Sequence, residues 1–145
     1  MKTYADISFF FSLYATDTQS PKADAWRQAN PLPLPFTAFH RVELRNALSL
    51  AVFQKRLTQQ ETQAAWQEVE NDLATGWLVP RGGLWHRTLR EAELLAQNHT
   101  PTAGTRTLDL IHVAAARLLP AAEFCSFDTR QTILASQVGL MAIVP

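Results

Sequence analysis

Short apolar strand-like runs alternate with helix-length amphipathic segments from end to end of this chain, and that alternation restricts the fold more than any other feature. Strand candidates fall at Met1 to Ala5, Phe36 to Ala38, Trp77 to Val79, Glu123 to Ser126 and Leu140 to Val144. Helical patterns lie between them. Consecutive strands separated by helices need crossover connections, and right-handed crossovers predominate, so a parallel sheet covered on both faces is expected. With 145 residues, 47% of them hydrophobic, the chain suffices for one globular domain with a full core and is read as a single domain.

The helices carry local start and stop signals. Asp6-Ile-Ser8 is placed to cap a helix through Tyr14, and Ser20-Pro21 reads as a cap followed by a first-turn proline, opening a helix to about Gln28. Asn30 to Pro35 stops it with three alternating prolines and leads into the second strand. From Thr37, the residues Leu44, Ala47, Leu48, Ala51 and Val52 mark one buried helical stripe. Thr58 and Glu61 form a capping-box pattern for a helix to about Ala74, closed by Gly76. Pro80 to Gly83 reads as a turn and Leu84 to Asn98 as a helix with Leu89, Ala92, Leu95 and Ala96 inward; 98–104 reads as loop. Thr105 or Thr107 is the expected cap of Leu108 to Leu119, and Thr129 to Gln137 is the last helix.

Four acids occupy the seams of this pattern. Asp6 and Asp128 stand where strand gives way to helix, while Glu43 and Asp109 stand near helix starts. Each has an ordinary explanation as a cap or first-turn acid that complements the helix dipole. In an open parallel sheet, however, helix starts gather outside the carboxyl ends of the strands, where ligands bind. Carboxylates meeting there would resist ionising together, and a hard divalent cation such as Mg²⁺ or Mn²⁺ relieves the conflict by accepting their oxygens. Such an ion polarises a phosphodiester and supplies a nucleophilic water, which is nuclease chemistry. Asn46, three residues after Glu43, is in reach of a site carboxylate or is a solvent-facing amide.

Other residues carry weaker signals. Lys plus Arg and Asp plus Glu number 13 each, so a nucleic-acid partner must be held by a local basic patch. Arg41, Arg45, Arg81, Arg87, Arg90, Arg106 and Arg130 are candidates for a phosphate-binding rim, with ordinary solvated arginines as the alternative. His112 follows Asp109 by three residues, either as a ligand partner or as a structural histidine on an apolar helix; the histidines have no zinc-ligand spacing. Trp26, Trp66, Trp77 and Trp85 suit packing at least as well as base stacking, and Cys125 reads as a small buried hydrophobe. The apolar runs fall short of the roughly 20 residues of a bilayer span, and no leader-like segment precedes the first strand. A cytoplasmic protein without membrane association is expected.

The segments holding the four acids resemble the PIN-domain family, specifically the VapC-like toxin ribonucleases of toxin–antitoxin modules. Tyr4-Ala-Asp-Ile-Ser-Phe-Phe is similar to the family's opening aspartate and following hydroxyl residue, with Asp6 and Ser8 in those places. Glu43 in His40-Arg-Val-Glu-Leu-Arg-Asn-Ala-Leu resembles the central-helix glutamate. Asp109 in Thr107-Leu-Asp-Leu-Ile-His-Val-Ala-Ala-Ala and Asp128 in Ser126-Phe-Asp-Thr-Arg-Gln resemble the third and fourth acids. Ser126 stands where the family commonly has threonine, so the hydroxyl is kept.

That resemblance implies a three-layer α/β/α sandwich around a central, mostly parallel five-stranded sheet. It implies Mg²⁺- or Mn²⁺-dependent cleavage of RNA, a homodimer, and inhibition by a cognate antitoxin protein. Asp6, Glu43, Asp109 and Asp128 are then expected to be catalytic and metal-holding, with Ser8, Asn46 and Ser126 orienting water around them. Phe10, Phe11 and Trp26 are expected on outer helix faces that an antitoxin peptide covers. A noncatalytic interaction protein on the same fold is the alternative. A haloacid-dehalogenase-like phosphatase would require a second aspartate near Ser8, which is absent.

Overall fold

The structure, a computed structural model, describes residues 2–82 and 85–145. Met1, Gly83 and Leu84, at the expected start of the first strand, end of the glycine turn and start of the following helix, lie outside the described residues. The chain divides into two compact units, one of residues 1–6 with 82–144 and the other of residues 7–81 with 145.

The first unit holds β1 (Thr3–Ala5), α5 (Trp85–Ala103), α6 (Thr107–Leu118), β4 (Glu123–Cys125), α7 (Thr129–Gln137) and β5 (Met141–Ile143). The second holds α1 (Ile7–Tyr14), α2 (Ser20–Ala29), β2 (Leu34–Thr37), α3 (Ala38–Phe53), α4 (Gln59–Thr75) and β3 (Leu78–Arg81). All strand pairs are parallel, as the crossover pattern requires. The expected single five-stranded sheet is instead a three-stranded sheet in the order β1-β4-β5 and a separate two-stranded β2-β3 pair. Proline occurs in both strands of the smaller pair. Pro35 faces Val79 and Pro80 faces Phe36 in its register, and neither proline has an N–H to give to a ladder.

In the first unit, Tyr4 and Phe124 stack at 5.8 Å across the β1-β4 pair, and both are fully buried. Leu110, Val113 and Ala114 of α6 and Leu134 of α7 are buried with them. The helix α5 runs on to Ala103, through residues expected as loop, despite Pro101. Proline there removes one backbone bond in the last turn, while the long packing of α5 along α6 holds the helix together. Gly104, at φ +62°, then turns the chain with its N–H on the Thr100 carbonyl. Thr88, Ala92 and Leu95 face inward on α5, whereas Leu89, expected inward, is 51% exposed.

In the second unit, Phe10 is the centre of an aromatic cluster, edge-on to Phe36 at 5.5 Å and to His40 at 5.3 Å. It is fully buried, so the expected outer-face role is corrected: the Phe10 ring belongs to the core. Phe11 and Trp26 are half-buried, Trp26 edge-on to Phe9 and Phe11 beneath the Arg56 guanidinium.

Several caps follow the sequence and several do not. Thr58 and Glu61 form the expected reciprocal box, with bonds of 3.1 Å and 2.6 Å, and Gly76 ends α4 in the left-handed region. Gln19 rather than Ser20 precedes α2, because Asp17 closes the turn by accepting from the Gln19 N–H, and the Ser20 hydroxyl donates to the Ala15 carbonyl. At α6 the cap position is Arg106, without a side-chain bond, since the Thr105 hydroxyl is engaged with Thr100 at 3.1 Å.

Candidate functional site

Asp6 is the residue immediately after β1. Its N–H continues the sheet ladder to the Cys125 carbonyl at 3.1 Å, and the residue is fully buried. A buried carboxylate needs partners, and the Ser126 hydroxyl donates to Asp6 Oδ2 at 2.7 Å. Ser126 is itself fully buried just past β4, tied by its N–H to the Ile143 carbonyl on β5. The same hydroxyl accepts the Asp128 N–H at 2.8 Å. One oxygen therefore joins the first and fourth acids at the carboxyl ends of neighbouring parallel strands.

Asp128 caps α7: its Oδ1 accepts from the N–H groups of Arg130 at 2.9 Å and Gln131 at 3.3 Å. The ordinary capping reading is thus correct for Oδ1. Its other oxygen, Oδ2, has no hydrogen bond from any described residue, which leaves it for water or an ion.

Asp109 sits half-buried in the first turn of α6. A contact farther along that helix shows which end of the sheet it occupies. The Tyr4 hydroxyl and His112 Nδ1 lie 2.8 Å apart, both buried, and Tyr4 is the register partner of Phe124 in the middle of β4. Since α6 reaches β4 through the short turn 119–122, this contact requires the helix to run back against the strands. Going from Tyr4 to Asp6 advances about 6.6 Å toward the carboxyl end of the sheet. Going from His112 back to Asp109 advances three residues, about 4.5 Å, in the same direction and on nearly the same helix face. Asp6, Asp109 and Asp128 therefore belong to one end of this unit.

His112 is not a cation at neutral pH. Burial in an apolar helix pushes its pKa down to about 3, and the ring serves as the hydrogen-bond partner of Tyr4. Tyr4 was not among the candidate residues, though a tyrosine in a buried strand must find a partner for its hydroxyl. Burial, with Asp6 and Glu123 adding repulsion, pushes the Cys125 thiol up and makes it inert, as expected of a buried hydrophobe.

The remaining candidates stand in the second unit. Glu43 is in the second turn of α3 and not the first, because the helix begins at Ala38 under the Thr37 cap. It is half-buried, and desolvation pushes its carboxyl up to about 7. Ser8 is half-buried on α1, and Asn46 is exposed on α3. Two guanidinium groups lie over the Trp66 ring, Arg41 at 5.1 Å and Arg45 at 4.5 Å, and Arg41 also pairs with Glu70. Those two arginines are thus engaged in packing.

Among the described residues, no group of three or more His, Cys, Asp and Glu side chains is arranged to hold a metal ion by itself. Mg²⁺ commonly takes only one or two carboxylates and keeps several waters, so the linked pair Asp6 and Asp128, with an open Oδ2, has the donor chemistry for a hard cation.

No protein-family model matches the chain, and no curated protein matches it in sequence. Solved structures do match it in fold. VapC20 of Mycobacterium tuberculosis, a sarcin-ricin loop cleaving toxin, superimposes with a TM-score of 0.70 at 16% identity, covering 99% of this chain and 100% of that one. FitAcB from Neisseria gonorrhoeae gives 0.63 at 15% identity over 97% of this chain and 96% of that one. PAE2754 from Pyrobaculum aerophilum gives 0.62 at 15% identity, covering 98% and 89%. The alternation of parallel strands and helices, the acids at the strand ends and these superpositions agree on one conclusion: the chain has the VapC-like PIN fold.

Proposed function

We propose that this chain is a single nuclease domain, a divalent-metal-dependent endoribonuclease that acts in the cytoplasm as the toxin of a toxin–antitoxin pair. The observation that carries the reading is the Ser126 hydroxyl joining Asp6 to Asp128 at the carboxyl ends of β1 and β4. The hydroxyl bonds the Asp6 carboxylate and the backbone N–H of Asp128, which sets the start of α7 and its acid beside the end of β1. The fold shared with VapC20, itself a sarcin-ricin loop cleaving toxin, supports RNA as the substrate class.

Asp6, Glu43, Asp109 and Asp128 would hold Mg²⁺ or Mn²⁺, directly or through water. When bound, such an ion polarises the phosphodiester and makes water nucleophilic near neutral pH. Ser126 fixes Asp6 by donating to Oδ2 and fixes the α7 entry by accepting from the Asp128 N–H. Ser8 and Asn46 would orient water around the acids. A cognate antitoxin and a second copy of the chain are the proposed protein partners.

The test is cleavage of defined RNAs with Mg²⁺ or Mn²⁺, with EDTA, and by an Asp109→Asn variant prepared in parallel. Cleavage is expected to vanish with EDTA and in the variant. Cleavage that persists in a contaminant-free Asp109→Asn preparation overturns the assignment.

A further inference from the structure

A nuclease built on acids has an electrostatic conflict with its own substrate. Asp6, Asp109 and Asp128 stand at one end of their unit, and RNA carries a negative charge on every phosphate. An ion held by the acids offsets their charge locally but does not extend along the strand on either side. Cationic side chains beside the acids are therefore needed to hold the flanking phosphates.

The pairing of the arginines in this unit separates candidates from structural groups. At the C-terminal end of α6, Arg117 is committed to an ion pair with Glu91 of α5. At the opposite end of that helix, Arg106 occupies the cap position three residues before Asp109. On α7, Arg130 follows Asp128 by two residues, and its backbone N–H is anchored on the Asp128 carboxylate. Both Arg106 and Arg130 are exposed, and neither side chain has a hydrogen bond, ion pair or ring contact with any described residue. The free cations thus begin the same two helices that carry the acids. Arg87 and Arg90, also without such partners, lie on the first turns of α5. Because α5 and α6 form a hairpin through 104–106, those turns are at the end remote from Asp109.

We infer that Arg106 and Arg130 bind the phosphates on either side of the scissile bond and position single-stranded RNA across the acids. They are positioning residues with no part in the bond exchange. The inference rests on the nuclease reading for its substrate, but its test does not require turnover.

The probe is a short fluorescein-labelled single-stranded RNA, with binding to the protein in EDTA, where cleavage is blocked, followed by anisotropy over a series of salt concentrations. Arg106→Gln and Arg130→Gln are each expected to lower the slope of log affinity against log salt by about 0.7, and the double variant by about twice that. Arg106→Lys and Arg130→Lys keep the charge and should keep the slope. Arg117→Gln, at the other end of α6, should also leave it unchanged. In cleavage assays the glutamine variants should raise KM and leave kcat within a small factor. An unchanged salt slope in the double glutamine variant overturns the inference, as does an equal loss in Arg117→Gln. Wild-type protein that cleaves no RNA yet shows the arginine-dependent slope defeats the nuclease reading and upholds the phosphate site.

Discussion

Ser126 carries more than its size suggests. Its hydroxyl both donates to a fully buried carboxylate and accepts a backbone N–H, so it uses both of its capabilities. Ser126→Ala leaves an Asp6 oxygen and the Asp128 N–H without this partner, and stability should fall by about 1–3 kcal/mol, the usual cost of stranding a buried polar group. Ser126→Thr retains the hydroxyl and should fall less. Urea unfolding of the three proteins measures this directly; an alanine variant as stable as wild type would show that the bridge contributes nothing to folding. Glu43 illustrates the reverse situation. Its pKa is raised to about 7 by loss of water around a half-buried carboxylate.

At the scale of elements, end chemistry decides where helices begin. Thr58 and Glu61 satisfy each other's backbone N–H groups at the start of α4. Thr58→Ala should cost about 1 kcal/mol, read as a lower urea midpoint with an unchanged slope, and Thr58→Ser should recover most of it. The α3 start solves the same problem with a different residue. His40 Nδ1 accepts the Thr37 N–H at 3.0 Å while the Thr37 hydroxyl accepts the His40 N–H at 3.2 Å. Its ring is buried, stacked on Phe36 at 5.5 Å, so this cap is also part of the core. Capping-box patterns that look for Glu or Gln at the third position pass over such a histidine.

For the molecule as a whole, the proposed metal site links ion, proton and folding. An ion that binds only the folded chain stabilises it by about 2.7 kcal/mol at a hundredfold excess over its Kd. Mn²⁺ should therefore raise the thermal midpoint of wild type and not of Asp109→Asn. The pH dependence has a definite sign. Glu43 has a folded pKa above its ordinary 4.5, so without metal its contribution to stability is lost as pH rises from about 4.5 through about 7. If Glu43 holds the ion as proposed, Mn²⁺ competes with that same proton, and the Mn²⁺-induced rise in midpoint should grow over this window. In Glu43→Gln the growth should disappear; if the Mn²⁺ effect keeps the wild-type pH profile there, Glu43 does not hold the ion. No helix among the described residues is long and apolar enough to cross a membrane, in agreement with the interrupted apolar runs of the sequence.

The sequence by itself determined the order of strands and helices, the α4 capping box, the close of that helix at Gly76, and the acids beside the helix starts. These depend on hydrogen bonds and side-chain periods a few residues long, which local sequence specifies. Tertiary structure alone decided that Ser126 links Asp6 to Asp128, that Phe10 is core, that Leu89 faces water, and that the strands form two sheets. It also decided that His112 is a neutral partner of Tyr4, residues 108 positions apart. Strand pairing, burial and desolvation depend on groups far apart in the chain, and neither composition nor spacing records which of them will meet.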